Sequence, residues 1–231
     1  MKRIQFGQMS ESRQMGIVLA LAGGFMDAYT YTIRGHVFAN AQTGNIVLLG
    51  LNLAEKNWAG MFSYLIPILA FLAGIFIAEF VRGKFRNNAF LHWRQICVAI
   101  EILLLIAVAF LPQSMNMAAN ITVSFVCALQ VQSFRKLNGI VCATTMCTGN
   151  LRSGADLLCQ YFRTKDVSLR RKGMQYFLVD AIFLLGAVTG VLCTNGMRER
   201  SMLICCGILL VGFLIMFIRE DLPLAEERAR D

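Results

Sequence analysis

The sequence predicts an all-α integral membrane protein: six transmembrane helices plus two re-entrant half-helix segments, arranged as an inverted-topology 3+3 repeat. Three observations point there. The 231 residues are 57% hydrophobic and only 16% charged, and the apolar residues form long runs rather than stripes. The triplet Thr-Gly-Asn occurs twice, at Thr43-Gly44-Asn45 and Thr148-Gly149-Asn150, 105 residues apart. The basic residues crowd the ends of alternate apolar runs.

About 20 apolar residues cross the hydrocarbon core as a helix. That length places spans at 15–33, 60–81 and 95–112 in a first repeat (1–112), and at 119–134, 174–194 and 201–218 in a second (113–231). The first span follows a basic segment with no small-residue cleavage signal, so it is expected to be retained. Two further segments, 35–59 and 137–161, are moderately apolar and broken in the middle by polar and small residues. Each is either a broken full crossing or a re-entrant segment that returns to its own side. Charge decides between them. With six spans and cytoplasmic termini, 17 of the 22 Lys and Arg residues lie inside and four outside, with Arg152 in the membrane. With eight crossings the split falls to 12 against nine. The six-span scheme obeys the positive-inside rule and starts the two repeats on opposite sides, the arrangement of many transporters.

A re-entrant segment puts backbone at mid-membrane. Residues 35–42 are long enough to reach that depth extended, at roughly 3.3 Å each. Thr43 then caps a half-helix that returns to the surface, and Thr148 caps its counterpart. The two half-helix N-termini face each other, each with roughly half a positive charge and unsatisfied N–H donors. Gly44 and Gly149 remove the side chain where a ligand must approach, and Gln42, Asn45 and Asn150 supply amides that donate and accept. Mutual hydrogen bonding of the two segments, without a site, is the other reading of the same pattern.

Several polar residues fall inside the spans. Asp27 lies eleven or so residues into the first span, near the midplane, where a carboxylate is expensive and marks a site or a structural pair. Gln130 and Gln132 occupy the matching depth of the fourth span. Arg152 and Asp156 are four apart on the second half-helix and share a face, as a counter-charge for a solute or as an internal pair. Glu101 and Asp180 also lie within spans but nearer the basic end, where snorkelling weakens the signal. Small residues recur at Ala70, Gly74 and Ala78 and at Gly186 and Gly190, as helix-packing seams or a homodimer face.

The ordered set Gly24-Phe25-Met26-Asp27-Ala28, Gly35-His36-Val37-Phe38, Gln42-Thr43-Gly44-Asn45 and Leu49-Gly50 resembles the signature of the YoaK-type bacterial integral membrane proteins, a family of unknown function. The second Thr-Gly-Asn and the six-span hydropathy match it too. The resemblance implies a multi-pass location in the bacterial cytoplasmic membrane, with the lipid bilayer as partner.

No HExxH, GxSxG, P-loop or Rossmann fingerprint is present, so no catalytic residue, metal ligand or cofactor is expected. The eight cysteines include no CxxC pair and read as small buried hydrophobes. The net charge of +8 sits at span ends without a nucleic-acid motif, so no nucleic-acid partner is expected. The expectation is a small-solute transporter or channel, with an anionic solute favoured by the exposed helix N-termini. Asp27 is its proton or cation relay, Asn45 and Asn150 contact the solute, and Arg152 supplies a counter-charge. An intramembrane enzyme acting on lipid and a non-transporting scaffold or sensor are the alternatives.

Overall fold

The computed structural model describes residues 12–85, 92–137 and 140–217. The chain ends expected to be cytoplasmic lie outside these residues. So do part of the Arg82–Arg94 loop, residues 138–139 of the second broken segment and the last residue of the 201–218 span.

The described chain is almost wholly helical. Helix α1 (Arg13–Ile33) starts at Ser12, whose hydroxyl accepts from Met15 N at 3.2 Å. This satisfies a donor that has no partner within the helix. It stops where Gly35 and His36 take positive φ of 87° and 60°, a turn that the missing Cβ of glycine permits. An extended stretch then leads to α2 (Gln42–Ala54), followed by α3 (Trp58–Phe85) with the buried Pro67 inside it. Helix α4 (Trp93–Ala109) begins in a capping box, the His92 ring and the Gln95 amide each taking a backbone N–H. Helix α5 (Asn116–Ser133) runs into a short antiparallel hairpin of β1 (Lys136–Leu137) and β2 (Ile140–Val141), with Lys136 opposite Val141. Helix α6 (Cys147–Thr164) ends at Lys165, at φ 61°. One residue later Asp166 caps α7 (Val167–Met197). The Ser168 hydroxyl and N–H hold the Asp166 carboxyl below the usual carboxylate range. A 3-10 turn, Arg198–Ser201, joins α7 to α8 (Met202–Ile215).

Among the described residues four stretches are long and apolar enough to cross a membrane: Arg13–Ile33, Trp58–Phe85, Gln113–Ser133 and Val167–Ile215. The last joins the expected fifth and sixth spans into one stretch of 49 residues. The expected third span is α4, of 17 residues. The outer faces of these helices are apolar: Phe76 is 75% exposed, Leu192 67% and Phe80 66%. A belt of that size and chemistry suits hydrocarbon rather than water. The dry core lies between α1, α4, α5 and α8, around Phe25, Met26, Tyr29, Leu105, Val123 and Leu209.

Helix α1 packs chiefly on α7, and α5 chiefly on α3. Helix α2 lies along α3 and α6 along α7. Helix α8 borders α1, α4 borders α5, and α4 meets α8. The α1–α7 seam is built from glycine. A Cβ at Gly24 would run into the Phe183 carbonyl, and one at Gly186 into the Leu21 carbonyl. One at Gly190 would sit 2.9 Å from the Phe25 carbonyl oxygen. Arg13 and Ile17 lie with Arg171 and Leu178 at one end, and Tyr31 lies with Val191 towards the other, so α1 and α7 run parallel. The expected seam of the second span is real as well, with Gly74 against the Phe125 carbonyl and Ala128. By contrast α1 and α5 run antiparallel: Leu19 O accepts from Gln130, Met26 touches Cys127, and Arg34 O accepts from Asn120.

The seam sets the first prediction. Gly24→Val should lower the melting temperature in detergent by several degrees, since overpacking a close-packed contact costs about 1–3 kcal/mol. Gly50→Ala, where a Cβ meets nothing within 4 Å, should leave it unchanged. Equal effects would contradict the seam.

Candidate functional site

A cavity of about 720 Å³ lies between the N-termini of α2 and α6. Gln42 and Thr43 form one wall and Cys147, Thr148 and Gly149 the wall facing it. Asp27, Tyr31 and Thr32 of α1, Phe71 and Ile75 of α3, and Phe183 and Val191 of α7 close the sides. Residues of both Thr-Gly-Asn segments, Thr43 from one and Thr148 and Gly149 from the other, thus line one chamber.

The helices begin at Gln42 and Cys147, with N-cap positions two residues before the expected caps, and the capping differs from expectation. Neither Thr43 nor Thr148 caps its helix; the N-cap positions are Ala41 and Met146, without a side-chain bond. The asparagines do the holding. Asn45 Nδ2 donates to Phe38 O at 2.7 Å, and Asn150 Nδ2 donates to Ala143 O at the same distance. Both bonds reach back seven residues, and the second is the first displaced by 105 positions. Asn45 Oδ1 also accepts from Phe38 N at 3.0 Å, so its amide closes both polar groups of one peptide residue. The side chains of Asn45 and Asn150 are buried at 0% and 2% exposure and do not line the cavity. Their amides are occupied by their own segments and, for Asn150, by Asp180 of α7 as well.

Asp27 lies in the cavity wall, 8% exposed. Its Oδ1 accepts from Asn40 N at 2.7 Å, and the Ala39 and Ala41 N–H groups also bear on it. The carboxyl therefore holds the approach to α2 by accepting its backbone N–H groups. Asn40 Nδ2 fixes the loop further by donating to Gly23 O. No Lys or Arg pairs with Asp27 among the described residues.

The other expected residues are scattered. Gln130 is fully buried, donates to Leu19 O and Thr144 Oγ1, and tethers α5 to α1 outside the cavity. Gln132 donates to Glu79 of α3, which also accepts from Arg82 and Arg135. Arg152 and Asp156 are exposed on α6, away from the cavity. Their pair is not formed; Asp156 accepts from Gln160 one turn on instead. Asp180 does not snorkel away: its Oδ1 accepts from Asn150 at 2.8 Å. Glu101 is fully enclosed rather than reaching water, because α5 and α8 cover its face of α4, and neither carboxyl oxygen has a partner among the described residues. The Cys97, Cys127 and Cys205 thiols lie within its electrostatic reach.

Arg34 has a role that the charge count does not reveal. Counted among the outside charges, it is 0% exposed. Its guanidinium donates to the Val108, Leu111 and Pro112 carbonyls and the Asn116 amide, and twice to Tyr29 Oη. It thus caps the end of α4 from α1. Asn40, Tyr31 and Cys147 in or near the cavity also escaped notice, since nothing in their spacing marks them. An asparagine in an apolar stretch, five residues before Asn45, is the one signal that was available.

The match to known proteins agrees with this geometry in extent. A family model described as "Protein of unknown function (DUF1275)" matches residues 15–215, which include every residue of the cavity wall. The chain belongs to this family. The UPF0700 transmembrane protein YoaK of Bacillus subtilis (strain 168) is 27% identical over 180 residues, or 74% of this chain and 79% of that protein. No solved structure matches. Family membership, that relative's description and the apolar helices make this chain a transmembrane protein.

The asparagine bonds generate the second prediction. Asn45→Ala and Asn150→Ala should each destabilise by about 1–3 kcal/mol, because buried backbone groups lose their partners. Thr43→Ala and Thr148→Ala should fall within about 0.5 kcal/mol of wild type. Thermal unfolding in detergent orders the four variants. A threonine variant as damaging as its asparagine neighbour would restore the threonine cap.

Proposed function

We propose that the protein transports a small solute bearing an anionic group, bound in the cavity between the α2 and α6 N-termini. The observation that carries this reading is the chamber itself: two helices begin at its wall, each after a stretch of irregular backbone inside an otherwise apolar bundle. Irregular backbone at membrane depth is tolerated where it lines a cavity. The α6 terminus, with Thr148 Oγ1 and the first N–H groups, suits a carboxylate. The apolar walls, Tyr31, Phe38, Phe71 and Phe183, suit its hydrocarbon part. Asp27 carries the coupled proton. Protonation removes a negative charge that would otherwise oppose an anion in the same chamber.

Six spans with two re-entrant segments, in inverted repeats, is the architecture of this reading. Exchanging α1–α4 for α5–α8 maps the principal helix contacts onto one another: α1 on α7 with α5 on α3, α2 on α3 with α6 on α7, and α1 on α8 with α5 on α4. The antiparallel run of α1 and α5 supports a two-fold axis in the membrane plane; eight crossings would make these helices parallel. In the proposed orientation the basic ends, at Arg13, Lys84, Arg135 and Lys172, are cytoplasmic in a bacterial inner membrane. The cavity then extends along the outer parts of α1 and α7, past Tyr31, Thr32 and Val191. Displacement by 105 residues maps Asp27 onto Gln132, where the corresponding inward path is closed by the Gln132–Glu79–Arg135 contacts. One half is thus open where the other is shut, as alternating access requires.

Reconstituted vesicles test the reading, with uptake of labelled small carboxylates compared with uptake of the matching amines, with and without a proton gradient. Carboxylate uptake driven by inward acidity is expected. Asp27→Asn should abolish its pH dependence while shifting the melting temperature by no more than about 4 °C. Absence of uptake across the carboxylate panel, or Asp27→Asn uptake that still follows the gradient, would overturn the proposal. Labelling of a cysteine at position 84 by an impermeant outside reagent would separately overturn the orientation.

A further inference from the structure

A second cleft, of about 270 Å³, opens between α1 and α7 at the end of the bundle where both helices begin. It is remote from the cavity and shares no lining residue with it. Arg13 and Arg171 stand at its mouth, one on each helix, and its walls are Ile17, Leu178 and Ile182, with Ile140 of the hairpin. No carboxylate lines it. Neither arginine has an ion-pair partner among the described residues.

The order of these groups along the helices is what a lipid needs. Ile17 lies about 6 Å deeper than Arg13 and Ile182 about 16 Å deeper than Arg171, by helix rise. Charge is at the rim and hydrocarbon is below it. The walls also face the surroundings, with Ile17 43% exposed and Leu178 53% exposed. In water such a cleft would be an aggregation hazard; in a bilayer it is a slot open to acyl chains. The same end of the bundle carries Arg82, Arg135, Lys136 and Lys172, so its field favours negative headgroups.

We infer that this cleft is a binding site for an anionic phospholipid. Its phosphate bridges Arg13 and Arg171, and an acyl chain lies along Ile17, Leu178 and Ile182. The bound lipid spans the open edge of the α1–α7 pair and ties the hairpin, through Ile140, to both helices.

The full-length protein in a neutral detergent is titrated with phosphatidylglycerol, with phosphatidylcholine of the same chains, and with glycerol 3-phosphate, while thermal stability and retained lipid are measured. Phosphatidylglycerol should bind roughly thirtyfold more tightly than phosphatidylcholine, from the general worth of two basic side chains at an anionic surface. Glycerol 3-phosphate should give no shift at equal concentration. The R13Q/R171Q double variant should lose the preference. Leu178→Trp, which fills the slot and keeps both arginines, should lose retention of both lipids. R198Q/R200Q, at the opposite end, should behave as wild type. Equal binding of the two lipids, an unchanged preference in R13Q/R171Q, or an equal response to glycerol 3-phosphate would overturn the inference.

Discussion

Backbone that leaves a helix within an apolar bundle must find its own hydrogen-bond partners, and that constraint organises this molecule. Each buried peptide group freed by a helix break needs a partner from the protein. Asn45 supplies both partners for Phe38, Asn150 supplies one for Ala143, and Asp27 receives the N–H groups that precede α2. At the far end Arg34 collects the carbonyls that α4 leaves free. These side chains hold the loops that wall the chamber. The polar residues most suggestive of chemistry are, to a large extent, the ones that make the irregular backbone affordable.

This explains what was legible in the sequence. Helix positions were, because hydropathy and length report depth. The pairing of the two Thr-Gly-Asn segments was, because a repeat at 105 residues implies equivalent surroundings. The division of labour inside the triplet was not. A threonine before a helix fits a capping rule drawn from water-exposed termini, whereas the bonds from Asn45 and Asn150 depend on a backbone loop folding back over seven residues. Arg34 was misread for a related reason. A charge count assigns it a side, but not the ring of carbonyls that buries it. The Arg152–Asp156 spacing allowed a pair on one helix face, yet Asp156 had Gln160 within reach.

In the proposed repeat the two halves differ in detail. Asp27 has Gln132 as its counterpart, Asn40 has Thr145, and the extended approach to α2 is matched by the hairpin before α6. Substitutions of this kind let one approach carry a titratable group while the other is stitched by neutral amides and an ion pair at Glu79. In the proposed transporter, similar packing with different polar chemistry would give the two ends of the path different thresholds.

The glycine seam has a consequence for assembly. Because α1 lies on α7 and α5 on α3, each half lends one long helix to a partner from the other. Neither half is a self-contained folding unit. When the first four helices have entered the membrane, α1 presents bare backbone at Gly24 with nothing against it until α7 arrives more than 140 residues later. The bundle is therefore completed from its end backwards. The last long helix to be made closes the first, and a nascent chain must keep its glycine face unclaimed in the meantime.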